Sequence, residues 1–304
     1  MAPNPESNNF IASPELGFVI GAFLGDGSFV QDSDYHHFVK MAVRDFDLAE
    51  AFNKCLSVIL SRQINKIIKT RNDGNVYYEV KYSSQPLGLF LEQPLHKLTP
   101  FIENFPVDFL RGLFSADGGS CVTIAHQKLR PIIFLSNTNL PLLQESARLL
   151  ESRIRIQSAI SIDKPRGTLF KGVDRSFVLR KTAFLLRIGR FDDVCSFVKE
   201  IGFTIQRKQH RIEHAIQLIK TFGRLKAADE WKSRYFKERN LWQKRDTGMI
   251  LSEAASPSLV RGGGPDHPLV GTAWSKMLSG HRLHRSRAPV IVGSNPTRPT
   301  IRFG

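Results

Sequence analysis

Residues 14–27 read PELGFVIGAFLGDG and residues 106–119 read PVDFLRGLFSADGG. Both stretches place Pro at a first helical position and an acid in the first turn, run apolar for two to three turns, and stop at Asp-Gly. Each predicts a short buried helix, with Ser13 as the N-cap of the first. The segments downstream of the two copies repeat as well. After the first, alternation and turn signals predict strands over 28–33 and 37–43, a helix over 46–62, strands over 63–71 and 76–83 turned at Asn72-Asp73-Gly74, and a helix over 85–97. After the second come strands near 120–126 and 130–136, a helix over 139–152, strands near 153–162 and 177–188, and helices over 190–201 and 206–222. The order helix, hairpin, helix, hairpin, helix thus occurs twice. It implies an α+β fold of two αββαββα subdomains, residues 1–102 and 103–222, related by a pseudo-twofold axis and each carrying a four-stranded antiparallel sheet. Residues 223–304 form a basic extension: 224–246 read as a mixed-charge helical stretch, and the last fifty or so, rich in Gly, Pro, Ser and Arg without period, are expected to be poorly ordered.

Small residues in the two helices have a spacing with a physical meaning. Gly21 and Gly25 are four apart, as are Gly112 and Ala116, so each helix offers a stripe on which another backbone can approach closely. If the stripes pack against each other, Asp26 and Asp117 become neighbours at one end of the pair. Two such carboxylates repel unless positive charge lies between them, which invites a divalent metal, and metal held by paired acids beside basic sheets can hydrolyse phosphodiesters. A single Asp-Gly is an ordinary helix stop. Two copies 91 residues apart (117 − 26), each preceded by the same small-residue spacing, favour the paired reading.

Composition narrows the partner. Among 304 residues, 43 Lys and Arg oppose 28 Asp and Glu, a formal charge of +15, which points to a polyanion, nucleic acid ahead of anionic membrane. Residues 223–304 hold 15 basic against 6 acidic side chains, a net of +9, so the two subdomains share the remaining +6 and need to concentrate their cations to bind DNA. With 41% hydrophobic residues the chain can bury a core, and no apolar run reaches the roughly 18–20 residues of a membrane span. The opening MAPNPESNNF lacks the basic-then-apolar pattern of a secretory signal, and Cys55, Cys121 and Cys195 lack metal-ligand spacing. An intracellular, cytoplasmic protein of a prokaryotic or organellar compartment is expected, without a membrane partner.

Strand alternation selects side chains for the DNA-facing side of the sheets. Val39, Met41 and Val43 are assigned to the core, leaving Lys40 and Arg44 opposite; Phe184, Leu186 and Ile188 likewise leave Lys181 and Arg187. Ile154, Ile156, Ile160 and Ile162 share a face, which puts Arg153 and Arg155 on the other; Lys69, Arg71, Glu79 and Lys81 are candidates whose register stays open. The loop 163–176, with Lys164, Arg166, Lys171 and Arg175, suits flanking phosphates or is simply solvated. Trp231, Tyr235, Phe236 and Trp242, interleaved with Lys and Arg, either stack on single-stranded bases or pack a helix onto the core.

Val19-Ile20-Gly21-Ala22-Phe23-Leu24-Gly25-Asp26-Gly27 and Leu110-Arg111-Gly112-Leu113-Phe114-Ser115-Ala116-Asp117-Gly118 resemble the two motifs of single-chain LAGLIDADG homing endonucleases. Phe134-Leu135-Ser136-Asn137-Thr138-Asn139, and Phe197 to Phe203 followed by Gln206-Arg207-Lys208, are similar to segments of the same family, in the same order. The resemblance runs from about residue 14 to about 222. It implies a monomer whose motif helices form an internal pseudo-dimer interface and whose sheets make a saddle on double-stranded DNA. It further implies Mg²⁺ (or Mn²⁺) held by Asp26 and Asp117 with the main-chain carbonyls of Gly25 and Ala116, water activated to cut one strand at each acid, and an intron-encoded, site-specific endonuclease. Where the family often places a Lys near the site, this chain has Arg44 in the first half, a candidate for stabilising phosphate charge, and Asn137 in the second. The motif position filled by Leu24 and Ser115, often acidic in the family, departs too. The runner-up is an RNA-binding maturase that assists splicing of its intron; a non-cleaving regulator is a third reading.

Overall fold

A computed structural model describes residues 10–31, 36–72, 74–171, 176–238 and 241–244 of the chain, so the expectation for the last fifty residues lies outside the described part. Helix α1 (Pro14–Asp26) starts as its sequence dictates, with Ser13 Oγ accepting from the Leu16 amide at 3.1 Å and Pro14 in the first turn, where its missing N–H costs nothing. Its counterpart in the second half is α5 (Pro106–Ala116). Behind α1 come β1 (Gly27–Gln31), β2 (His37–Val43), α2 (Phe46–Ile59), β3 (Ile68–Asn72), β4 (Asn75–Ser83), α3 (Gln85–Leu91) and α4 (Leu95–Asn104). Behind α5 come β5 (Gly118–Ala125), β6 (Lys128–Asn137), α6 (Leu140–Ile154), β7 (Ala159–Lys164), β8 (Leu169–Lys171), β9 (Ser176–Val178), β10 (Ala183–Ile188), α7 (Phe191–Glu200), α8 (Gln206–Arg234), β11 (Tyr235–Glu238) and β12 (Leu241–Lys244). The two main sheets are antiparallel with matching orders, β1-β2-β4-β3 and β5-β6-β10-β7; β8-β9 and β11-β12 are two-stranded ribbons. The α+β fold with two four-stranded sheets is therefore present.

Several boundaries differ from the sequence expectation, each for a local reason. The helix expected over 85–97 breaks at Pro94, which sits at φ −54, ψ 144 and brings no amide to continue α3. Residues 63–67 are not strand: Asn65 is instead tied down by Asn53 Nδ2 donating to its carbonyl at 2.6 Å and by its own amide donating to the Tyr82 hydroxyl at 2.9 Å. Helix α6 runs through Ile154 and closes on Arg155 in the left-handed region (φ 61), whose amide donates back to the Glu151 and Leu150 carbonyls. The isoleucine alternation of 154–162 thus straddles a helix end and a strand, and Arg153 and Arg155 are helix-terminal residues, not sheet residues. The strand expected over 177–188 is divided into β9 and β10, and Lys181 lies in the connection. Finally, α8 continues beyond 222 across a break at Gly223 (φ 71, ψ 165), and the aromatic stretch after Arg234 is the β11-β12 ribbon, not helix.

One hydrophobic cluster joins both halves, from Leu16, Phe18 and Val19 through Phe52 and Leu87 to Phe109, Leu135 and Phe197. A smaller one packs Val122 and Leu129 of the second sheet against Leu218, Ala227, Trp231 and Tyr235. Trp231 is fully buried and stacks on Tyr235 with ring centroids 3.9 Å apart, so of the two readings of these aromatics the structure supports core packing. Among the described residues no helix is long and apolar enough to cross a membrane.

Candidate active site and nucleic-acid interface

The centre of the molecule is the contact of α1 with α5. A Cβ placed on Gly21 would overlap the Phe109 carbonyl oxygen, and one placed on Gly112 would overlap the Phe18 carbonyl oxygen. The relation is reciprocal: Gly21 also meets Leu113, and Gly112 meets Ala22, each partner displaced by the same 91 residues (113 − 22 and 112 − 21). This is the self-complementary contact of a twofold dimer, built within one chain. A glycine is required at both positions because backbone, not a flexible side chain, occupies the space. One turn further on, a Cβ at Gly25 would come 2.5 Å from Ala116 Cβ and 3.5 Å from Asp117 Cγ, so the Asp117 carboxyl lies against the last turn of α1. Asp26, the final residue of α1, is 8% exposed, and Asp117, the C-cap of α5, 6%. The four residues of the small-residue stripe, Gly21, Gly25, Gly112 and Ala116, thus form the interface.

Around this end the chain assembles groups from further elements. At the close of β6, Asn137 Nδ2 donates to Asp117 Oδ2 at 2.6 Å, while its own Oδ1 accepts from the Asn139 amide at 2.8 Å, which fixes the orientation of the amide. From α8 comes Lys208, whose side chain is buried and whose Nζ donates to the Ser115 carbonyl at 2.6 Å and the Gly118 carbonyl at 2.7 Å. Burial lowers its pKa from the usual lysine range to about 8; the charge of Asp45 works against that lowering, Arg207 adds to it, and Asp26 and Asp117 oppose it. The start of α8 is anchored on the first half: Arg207 grips Asp45 through two parallel bonds of 2.5 and 2.7 Å, and the Gln206 amide donates to Asp47 Oδ2 at 2.9 Å. In the sequence Lys208 stands out only as part of the family-like segment Gln206-Arg207-Lys208. No spacing marks it, because it sits 91 residues beyond Asp117 on another helix and gains its place through the Arg207 clamp.

The acids at this end, Asp26 closing α1 and Asp117 capping α5, offer carboxylate oxygens from opposite helices. Among the described residues no group of three or more His, Cys, Asp or Glu could enclose a metal. Paired carboxylate oxygens suit a hard divalent cation.

The registers decide which of the expected cations share a sheet face. Lys40 pairs with Lys81, and Ala42 pairs with Glu79, which pairs with Ile68, so Lys40, Lys81 and Glu79 share the side opposite Val39, Met41 and Val80. Lys40 and Glu79 are joined by a 2.7 Å ion pair, and Lys81 lies 3.6 Å from the Phe38 ring centroid. Arg44, just past β2, donates to the Tyr77 hydroxyl at 3.3 Å with its guanidinium carbon 5.4 Å from the ring centroid. Lys69 pairs with Tyr78, which packs on the core, and Arg71 with Val76, so register sets both on the side opposite Lys40 and Lys81. In the second sheet Arg187 is exposed, outward beside Phe134 and Ala159. Arg153 and Arg155, at the end of α6, and Lys181, between β9 and β10, do not join it.

Comparison with known proteins finds that the LAGLIDADG-like domain matches residues 13–93 and again 104–202. The chain is 30% identical over 210 residues to an uncharacterized protein of Methanocaldococcus jannaschii, covering 67% of this chain and 72% of that one; a second uncharacterized protein of the same organism is 21% identical over 167 residues, covering 53% and 62%. Among solved structures, the chain is similar to I-DmoI in complex with DNA and Mn (18% identity, TM-score 0.45, 63% of this chain and 98% of that chain). It is also similar to full-length DUF199/WhiA from Thermatoga maritima (18% identity, TM-score 0.41, 75% and 68%).

Proposed function

Since the chain belongs to the LAGLIDADG family, we propose that it is a site-specific double-strand DNA endonuclease of the intron-homing type, acting as a monomer with an internal pseudo-dimer. The observation that supports this most directly is the reciprocal seating of the glycine-striped helices, with Asp26 and Asp117 at their common end and the buried Lys208 ammonium beside them. A binding module has no need to hold two desolvated carboxylates together where phosphate would lie.

In this reading Asp26, Asp117 and the carbonyls of Gly25 and Ala116 would hold Mg²⁺, which when bound would neutralise charge at the phosphate and lower the pKa of a water. Asn137, by donating to Asp117 Oδ2, orients the Asp117 carboxylate. Lys208, by holding the carbonyls at 115 and 118, fixes the peptide units on both sides of Ala116 and Asp117, and its charge offsets that of the two acids. Arg44, which donates to the Tyr77 hydroxyl, takes the role of contacting a phosphate at the rim of the first sheet. Lys40, Lys81 and Arg187 contact the major groove, where Lys and Arg suit guanine.

The test begins with selection of bound duplexes from a random library in Ca²⁺, followed by transfer of the selected sequences to Mg²⁺. Two discrete products per duplex are expected, and Asp26→Asn or Asp117→Asn is expected to keep binding and abolish cutting. Loss of binding in an intact fold would refute the role of the acids; selective retention of intron RNA without DNA cutting would favour the maturase.

A further inference from the structure

The stretch that follows Gly223 is built onto the second half alone. Trp231, fully buried, and Tyr235 dock it on Val122 and Leu129 of the second sheet; the Tyr235 hydroxyl shares a 2.8 Å hydrogen bond with His214 Nδ1 of α8, and Trp242 of the β11-β12 ribbon packs against the same cluster. The first half runs from α4 directly into α5, and among its described residues carries no such ribbon. Register decides what the ribbon presents. Lys237 pairs with Trp242, and Tyr235, two residues earlier, shares its side, so Lys237 leans toward the second sheet. There Lys232, Lys237 and Trp242 close a cleft of about 250 Å³ against Val122, Thr123 and Ile124 of β5, an edge strand. Both lysines are exposed. Lys232 makes a 3.1 Å ion pair with Asp229, whose side chain is 80% exposed, so solvent screens it.

Thr123 belongs to two surfaces. It lines the cleft and, paired with Arg130, stands on the outward side of β5 and β6 that also carries Phe134 and Arg187, with exposed Lys128 at the tip of the hairpin. Cys121, two residues before it, marks the same continuity: burial raises its thiol pKa, and the charges of Arg187 from the sheet and Arg211 from α8 both reach it and oppose the rise. Ammonium groups neutralise phosphate as point charges, and the apolar floor of Val122, Ile124 and Trp242 suits the carbon face of a sugar between two phosphates. Thr123 is six residues beyond Asp117 (123 − 117), about 20 Å along an extended strand, so a contact here positions the duplex and takes no part in hydrolysis. We infer that the cleft between β5 and the C-terminal ribbon seats the sugar-phosphate backbone of duplex DNA flanking the half-site that lies on the second sheet. This rests on duplex DNA being the ligand of the two sheets, as in the endonuclease reading, and adds to it a footprint that extends further on one side.

The probe is one duplex selected in Ca²⁺, at full length and trimmed at either end, titrated by fluorescence anisotropy against the full chain and against the double variant Lys232→Gln with Lys237→Gln; melting curves check that both are folded. Loss of two phosphate contacts is expected to lower the slope of log affinity against log salt by about 1.8, so the wild-type advantage shrinks about tenfold between 50 and 200 mM. Trimming one end is expected to weaken the wild type and leave the variant unaffected, whereas trimming the other end weakens both alike. Lys232→Arg with Lys237→Arg is expected to restore the wild-type slope, since charge carries the contact. An unchanged slope, or an equal response of both proteins at each end, would overturn the inference while cutting in Mg²⁺ still upholds the endonuclease. Preference of the same two lysines for RNA over the duplex would overturn it in favour of RNA, and failure to enrich any duplex would overturn both readings.

Discussion

Lys208 ties down the turn that follows α5: its buried ammonium donates to the Ser115 and Gly118 carbonyls, on either side of Asp117. Lys208→Met removes a desolvated charge but takes that donor from both oxygens, and an unsatisfied buried carbonyl costs about 1–3 kcal/mol. DNA cleavage by this variant is expected to fall about 10²-fold or more with binding reduced less than about fivefold; single-turnover assays and gel shifts on one duplex separate the two. Cys55 offers a second measurement at this scale. Burial first, then the carboxylates of Glu15 and Asp108, push its thiol up to about 12. Because the folded state raises this pKa, the stabilisation from keeping the thiol protonated is complete below about pH 9 and is lost as pH rises toward 12. Iodoacetamide at pH 8 is therefore expected to label Cys55 about a thousandfold more slowly in the native protein than in urea, since the thiolate is the reactive form.

Elements are held together here by two devices of different physical kind. The first is close packing of α1 on α5: Gly21→Ala or Gly112→Ala forces a methyl into a carbonyl oxygen, and overpacking of this type costs about 1–3 kcal/mol. Urea unfolding is expected to show each midpoint lowered, whereas Gly74→Ala, at a hairpin turn with φ 75 and open space around it, acts only through backbone strain and costs less than about 1–2 kcal/mol. The second device is the Arg207–Asp45 clamp that brings α8 from the second half to the start of α2 in the first. A double-mutant cycle with Arg207→Ala and Asp45→Ala is expected to yield a coupling of about 1–3 kcal/mol, and both single variants to lose cleavage more than stability, because the clamp aims the neighbouring Lys208.

At the scale of the whole molecule, a charge of +15 makes the proposed DNA binding depend on ionic strength. With six or more phosphates contacted, affinity is expected to fall about 10³-fold or more between 50 and 200 mM salt, measured by fluorescence anisotropy on a selected duplex. Much of this design is legible along the chain. The repeat gives two αββαββα halves and the small-residue stripe, because helix and strand periods and close-packing requirements are local properties written every two to four residues. The acids Asp26 and Asp117 emerge from the same stripe. Other features have no one-dimensional trace. Arg153 and Arg155 belong to a helix because Arg155 takes a left-handed conformation that closes α6, a choice made by the packing of Ile154 and Ile156 against the core. Lys69 and Arg71 part from Lys81 because strand register, set by a turn, fixes which face each meets. Alternation and motif spacing alone thus determined the pairing of the two helices and the carboxylates they carry. The buried lysine and its clamp were decided only when tertiary contacts set residues far apart in sequence within a few ångströms, where desolvation and Coulomb attraction act through space rather than along the backbone.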